Sequence, residues 1–343
     1  MCFKLTNEMD ILDKNCTTSS NIPKNDKVLQ IFRQFIKKYN IKKIIISLSG
    51  GVDSMVIAYC ATLTDLPVIA LHMNYKNREE TDEEEKFLKN WCSKYNIQMD
   101  VLTFGELRRE KDLRDDYEKE TRQMRYNFYK ESLQKYNAYG IFLGHHANDV
   151  AENTFCNVVH GRSLLDLSVI RETSVVMGVN IFRPFRDIEK KYIFEFAHKY
   201  GVPYFKDTTP DWSNRGKLRR QIFPVIEDTF EQTFQHKLYE LAKQSDELSE
   251  IVVKNILQPL IDKVETMENG FRVQLPELLR SGNETIWKLF LQNLLHGHGV
   301  SMPKQNVVRM LVDRLKTKTA FKLDLKKDML AVYSGGVLTM SKI

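Results

Sequence analysis

Apolar positions recur with two different periods along this chain, and their alternation outlines its organisation. Val28, Ile31, Phe32, Phe35, Ile36 and Tyr39 fall at helical spacing. Lys43–Leu48 is a short apolar run around Ile44, Ile45 and Ile46, the pattern of a buried strand. A second apolar helix is expected over roughly Ser54–Leu63 and a strand over Pro67–Met73. A charged helix follows over Glu79–Tyr95, with Phe87, Leu88 and Trp91 as its buried stripe. Strands at Gln98–Phe104, Tyr139–Leu143 and Val179–Phe182 then alternate with helices over Asp115–Tyr136, from about Ala147, and over Ile188–Tyr200. Strands and helices alternating at this spacing predict βαβ units, hence an α/β fold on a doubly wound parallel sheet. Ligands of such a sheet sit beyond the carboxyl ends of its strands. Three polar clusters follow strands here, at Ser49–Ser54, Asn74–Arg78 and His145–Glu152, and are expected to crowd one rim.

The pattern changes after Pro224. Residues 228–266 and 276–296 have helical spacing, and Val307–Leu315 forms a shorter helical pattern. Segments near Phe321–Leu325 and Leu330–Leu338 alternate as strands do. The expected organisation is a flexible N-terminal tail over 1–24, an α/β domain over 25–228, and a smaller, mainly helical domain over 229–343.

Composition narrows the class. The chain has 343 residues, 42% of them hydrophobic and 28% charged, which suits about two globular domains and excludes wholesale disorder. No apolar run approaches the roughly 18 residues of a membrane helix. Cys2, Cys16, Cys60, Cys92 and Cys156 are scattered and never form C-x-x-C, against a disulfide framework or a thiolate zinc site and for a reducing, cytoplasmic setting. The first 24 residues have no Arg and no apolar h-region, so they do not resemble a secretory or transit peptide. The formal charge of +6 is a mild bias whose position matters more than its size. Arg215, Lys217, Arg219 and Arg220 place four cations in six residues, and residues 304–327 hold eight Lys/Arg against Asp313 and Asp324. Together these two patches carry more positive excess than the whole chain nets. Solvated helix faces would show the same pattern. Beside a nucleotide site, such patches suit RNA.

Ser49-Gly50-Gly51-Val52-Asp53-Ser54 lies between an expected strand and an expected helix. Adjacent glycines allow a sharp turn that points several N–H groups at one spot, and the following helix adds its N-terminal dipole, so the site suits a phosphate. Asp53 cannot bind a naked anion and is better matched to a magnesium ion riding on the phosphates. The loop lacks the Lys of G-x-x-x-x-G-K-[ST], so it is not a Walker A loop. A plain strand-to-helix turn with a capping Ser or Asp is the bland alternative.

The hexapeptide resembles the signature of the PP-loop ATP pyrophosphatases, which cut ATP between the α- and β-phosphates and adenylate an oxygen. Four later segments resemble one branch, the tRNA(Ile)-lysidine synthetases. Leu71-His72-Met73-Asn74-Tyr75 through Arg78 is similar to their L-H-V-N-H-G-L-R stretch, and Glu118 through Arg122, Arg125 and Tyr126 to their E-x-x-A-R-x-x-R-Y helix, with Thr121 in place of Ala. His145-His146-Ala147-Asn148-Asp149 through Glu152-Asn153 is similar to H-H-x-D-D-x-x-E-T, with Asn148 for the first Asp and Asn153 for Thr. Arg183-Pro184, and Asp207 to Pro224 with Ser213-Asn214, match their R-P-L and D-x-S-N … R-N-x-x-R segments. These matches run in order over about residues 40–225.

The resemblance implies ATP bound by Ser49, Gly50, Gly51, Val52, Asp53, Ser54 and Met73, with magnesium at Asp53. It implies catalytic roles for Asp53, Arg122, Arg125, His145, Asp149 and Glu152, and tRNA contacts by Arg215, Lys217, Arg219 and Arg220. A helix starting near Ala147 would put His145, Asp149 and Glu152 at i, i+4 and i+7 on one face, where the acids can hold a cationic lysine and His145 or an acid can take its proton. Zinc binding and simple helix capping are the alternatives for this box. The implied reaction attaches lysine to the wobble cytidine of tRNA(Ile), releasing AMP and pyrophosphate, and a homodimer is compatible with it. Two rivals stand beside it: another PP-loop tRNA modifier such as a thiolase, which usually needs a Cys pair, and a catalytically silent nucleotide- or RNA-binding protein.

Overall fold

The computed structural model describes residues 25–76, 80–104, 114–207, 209, 211–230 and 232–342, without the side chains of 114–118. The expected tail over 1–24, Arg78 and the Glu118 side chain lie outside these residues. Contacts between Cα atoms divide the chain into two units, 1–245 and 246–343.

In the first unit, Asp26 caps helix α1 (Lys27–Lys38) by accepting from the Val28 and Leu29 amides. The elements β1 (Ile44–Ser47), α2 (Val52–Thr62), β2 (Val68–Asn74), α3 (Thr81–Lys94), β3 (Gln98–Thr103), α4 (Arg114–Lys135), β4 (Ile141–Phe142) and α5 (Ala147–Val159) follow in the predicted alternation. Then come β5 (Thr173–Val176), β6 (Val179–Phe182) and α6 (Lys190–Tyr200). The sheet order is β3-β2-β1-β4-β6-β5, and every pairing is parallel except β5 with β6. The antiparallel β5 was not expected. Its two-residue turn, Met177-Gly178, has both residues at positive φ (50° and 78°), which suits the twist of a tight hairpin but is poorly signalled by Met.

The β1 residues alternate between faces, as the pleat requires. Ile44 and Ile46 pack into a cluster with Phe32 and Phe35 of α1, Val56 of α2, Leu88 of α3 and Phe196 of α6. Ile45 joins Tyr126 and Tyr129 of α4 with Leu71, Ile141 and Ile181 on the other face. Strand order runs outward in both directions from the β1–β4 pair, so a crevice opens between their carboxyl ends. Beyond α6, helix α7 (Asn214–Lys217) passes through a π-helical turn at Leu218–Ile222 into α8 (Phe223–Thr229). Leu218, Phe223 and Leu238, the last on helix α9 (Phe234–Val252), pack against Ala151 of α5.

The second unit has the expected helices and adds to them a five-stranded sheet larger than the two alternating segments suggested. After α10 (Gln258–Ile261), strands β7 (Glu265–Met267), β8 (Gly270–Gln274), β9 (Phe321–Lys326), β10 (Met329–Ser334) and β11 (Val337–Lys342) form an antiparallel sheet in the order β7-β8-β11-β10-β9. Helices α11 (Glu277–Arg280), α12 (Glu284–Gly297) and α13 (Gln305–Lys316) lie between β8 and β9 in the chain. The expected helix over 228–266 overran its end: α10 stops at Ile261, and Glu265 and Thr266 already belong to β7, paired with β8. The run Leu330–Leu338 is two strands, reversed at Gly335-Gly336, whose φ values are 57° and 83°. Asn283 splits the expected helix over 276–296 by accepting from the Ile286 amide as the cap of α12. Among the described residues no helix is long and apolar enough to cross a membrane.

Candidate active site

The loop Ser49–Ser54 leaves the carboxyl end of β1 and enters α2. Gly50 has φ +82°, and a Cβ there would lie 2.3 Å from the Phe205 ring, so both backbone and space demand glycine. Phe205 also donates its amide to the Gly50 carbonyl at 2.9 Å, which ties the loop to the chain after α6. Inside the loop, Ser54 Oγ donates to the Gly51 carbonyl (2.9 Å) and lies 3.1 Å from Ser49 Oγ. Gly51 is the α2 cap and has no capping side chain, leaving the helix N-terminus open to an anion. His72 Nδ1 stands 2.9 Å from the Leu48 carbonyl and braces the strand end just before the loop.

Asp53 projects from the first turn of α2. Its Oδ1 is buried with no hydrogen-bond partner, while His146 Nε2 lies 3.8 Å away and Lys190 Nζ is 3.6 Å from Oδ2. Burial pushes its carboxyl above the ordinary value, and His146 and Lys190 offset part of that rise. An orphaned carboxylate oxygen beside a phosphate loop fits a hard cation such as magnesium, which takes one or two carboxylates plus phosphate oxygens. Gly144 permits the approach of the next loop, since a Cβ there would meet Asp53 Cβ at 2.9 Å and the Ser54 amide at 3.1 Å.

Helix α5 starts at Ala147, as expected, with a reciprocal cap: His146 Nδ1 accepts from the Asp149 amide, and Asp149 Oδ2 accepts from the His146 amide. His146 is therefore held between Asp53 and Asp149, with Nε2 3.5 Å from Asp149 Oδ2. Sequence reasoning chose His145 instead and placed it on the helix face. The structure corrects this: His145 precedes the cap, so helical spacing does not apply to it. Its Nδ1 accepts from Arg183 Nε at 3.2 Å. Burial lowers the His145 pKa to about 4, with Arg183 and Arg215 adding to the effect. Arginine has only donors, so this ring is neutral, with Nδ1 bare and Nε2 protonated.

Asp149 and Glu152 are both buried and share one arginine. Arg219 Nε donates to Glu152 Oε1 (2.5 Å), its Nη2 to Glu152 Oε2 (3.1 Å) and Asp149 Oδ1 (3.2 Å), and its Nη1 to Asp207 Oδ2 (3.1 Å). Arg215 stands behind, with Nε 3.8 Å from Glu152 Oε2. Burial would raise the Asp149 pKa, but His146, His145, Arg215 and Arg219 outweigh it and hold the carboxyl below its ordinary value. Arg219, expected among the RNA contacts, thus spends its fork on the acid pair. Lys217 and Arg220 face outward, Arg220 pairing with Asp211.

Arg122 and Arg125 do not meet a common partner. Arg122 is exposed over the Tyr126 ring, at 5.1 Å. Arg125 donates to the Tyr75 hydroxyl (2.5 Å), and Tyr75 stacks on Phe104 with centroids 4.5 Å apart. Its Nε is buried without a partner. Met73 ends up near the carboxyl end of β2, partly buried. Sequence reasoning missed His146 and Lys190. The first carried a signal in the His-x-x-Asp capping spacing, but Lys190 had none, because only the strand order brings the start of α6 to Asp53. Asn148, at the position where the resembled family has Asp, accepts from the Lys190 amide (2.9 Å) and donates to Gln235 (2.8 Å), so it positions that helix start.

Comparison with known proteins agrees with the crevice and the loop. Residues 24–226 match the family described as a PP-loop domain, which defines the chain as a PP-loop protein. A tRNA(Ile)-lysidine synthase from Chlamydia pneumoniae is 27% identical over 323 residues, covering 93% of this chain and 98% of that protein. Another, from Chlamydia felis, is 30% identical over 258 residues, 75% of this chain and 80% of its own length. The chain belongs to the tRNA(Ile)-lysidine synthase family of PP-loop proteins. In fold it is also similar to a U34-tRNA thiolase, NcsA, from Methanococcus maripaludis, with a TM-score of 0.51 at 15% identity over 67% of this chain and 82% of that one.

Proposed function

We propose that this chain joins lysine to the wobble cytidine of tRNA(Ile) in two steps at the β1–β4 crevice. The cytidine 2-oxygen attacks the α-phosphate of ATP, and pyrophosphate leaves. The ε-amine of lysine then attacks C2 of the activated ring, the C–O bond to AMP breaks, and the amine gives up a proton. The loop amides and the open start of α2 receive the phosphates, and Lys190 adds a cation where pyrophosphate charge develops. Asp53 would hold a magnesium ion, which would offset further phosphate charge.

The observation that carries this reading is the buried Asp149–Glu152 pair beside Asp53, already holding a cation in a forked ion pair. A site that holds guanidinium this way offers the same oxygens to an ε-ammonium. Asp149 or Glu152 then takes the amine's proton, because the bare nitrogen of His145 already accepts from Arg183. The thiolase alternative loses support from the cysteines: Cys60 and Cys92 are buried and their thiols are pushed up, Cys92 to about 12.

Mass spectrometry of a cytidine-wobble tRNA, incubated with ATP and isotope-labelled lysine, is expected to show one added labelled lysine. AMP release is expected to require both tRNA and lysine and to vanish in Asp53→Ala. AMP released equally well without lysine overturns the proposal.

A further inference from the structure

The chain has three tryptophans, and their burial differs sharply: Trp91 is 7% exposed, Trp287 0% and Trp212 55%. A half-exposed indole in a polar segment is unusual for a side chain that favours burial. Trp212 is also held in place. Asp211 on one side pairs with Arg220, and Arg220 donates to the Thr209 carbonyl. Ser213 on the other side caps α7 by accepting from the Gly216 amide at 3.0 Å. The indole therefore rides on a short, pinned turn.

Cations outnumber acids in the chain beside it, with Arg220 paired to Asp211. Arg215, Lys217 and Arg220 are all exposed within eight residues of it. Arg215 also reaches the acid pair, 3.8 Å from Glu152, and lies three residues, at most about 11 Å of chain, from Trp212. A flat aromatic face flanked by arginine and lysine matches a single-stranded nucleic acid, with a base on the ring and phosphates on the cations. An apolar protein surface would gain nothing from those charges.

We propose that Trp212 is a stacking platform for an unpaired base of the RNA substrate, next to the nucleotide that reacts at Asp149 and Glu152. The proposal rests on the tRNA-modifying reading above. Arg215 and Lys217 hold the flanking phosphates while Arg220 stays on Asp211, and the indole fixes the register of the loop against the crevice.

Because the other two tryptophans are buried, Trp212 reports on itself. Titrating the full chain with an anticodon stem-loop RNA carrying a cytidine wobble base is expected to quench the exposed tryptophan emission. Trp212→Phe is expected to abolish that quenching while keeping most of the RNA affinity. Trp212→Ala is expected to weaken RNA binding roughly 5- to 150-fold and to leave ATP affinity unchanged. RNA that binds the wild type without altering its emission, and binds Trp212→Ala equally well, overturns the platform and leaves the tRNA-modifying reading standing. Failure of the wild type to bind the RNA overturns both. If Trp212→Ala does not fold, the emission of wild type against Trp212→Phe still decides.

Discussion

His145 shows how one hydrogen bond sets what a residue can do. The Arg183 guanidinium takes its Nδ1, and burial holds its pKa near 4, against about 6.5 in an unfolded chain. A histidine depressed in this way adds stability that is complete above pH 6.5. That stability is lost as pH falls from 6.5 towards 4, because the unfolded chain binds the proton first. Urea unfolding of wild type and His145→Asn should therefore converge on acidification. The difference between them is expected to shrink by up to about 1.4 kcal/mol per pH unit in that window. A difference that does not change with pH would mean that His145 is not held neutral. His146, one position on, plays a structural part: as the cap of α5 it is fixed between Asp53 and Asp149.

At the scale of elements, the site depends on α5 lying beside the π-helical turn that carries Arg219. Leu218 and Phe223 pack against Ala151, and this contact brings Arg219 over Glu152 and Asp149. Removing one partner of a buried ion pair leaves the other charge uncompensated, a loss of about 3 kcal/mol or more. Arg219→Ala is expected to be destabilised by that order in urea unfolding. Arg219→Lys should recover little, since an ammonium cannot fork across two carboxylates. Adding Glu152→Gln to Arg219→Ala should restore part of the loss by removing one stranded charge. Two equally mild single variants would show that the pair is well solvated.

Across the whole molecule, positive charge lies in both units. In the second, Lys304, Lys318, Lys322 and Lys327 are exposed, whereas Arg309 pairs with Glu284 and Lys316 with Asp313. RNA affinity is then expected to fall linearly with salt on logarithmic axes, at about 0.7 per single-stranded phosphate contact. Replacing Lys318, Lys322 and Lys327 together by Gln should flatten that slope and weaken binding to all tRNAs alike, measured by filter binding. An unchanged slope would restrict the RNA contacts to the first unit.

The sequence by itself determined the βαβ alternation, the Ser49–Ser54 turn, the start of α5 and the acids it carries. Each of these is written in residues close together in the chain, through hydrophobic period, paired glycines or capping chemistry. Only the tertiary structure decided the partners. Arg219 meets Glu152 from 67 residues away, and Lys190 reaches Asp53 from the start of α6. The second unit shows the same limit. The alternation of β9, β10 and β11 was legible, but β7 and β8 are too short to stand out after the helical run, and Gly270 became meaningful only where a Cβ would strike the Met340 carbonyl of the neighbouring strand. Local spacing can name the groups that do chemistry, but their charge and orientation come from neighbours that strand order and burial supply.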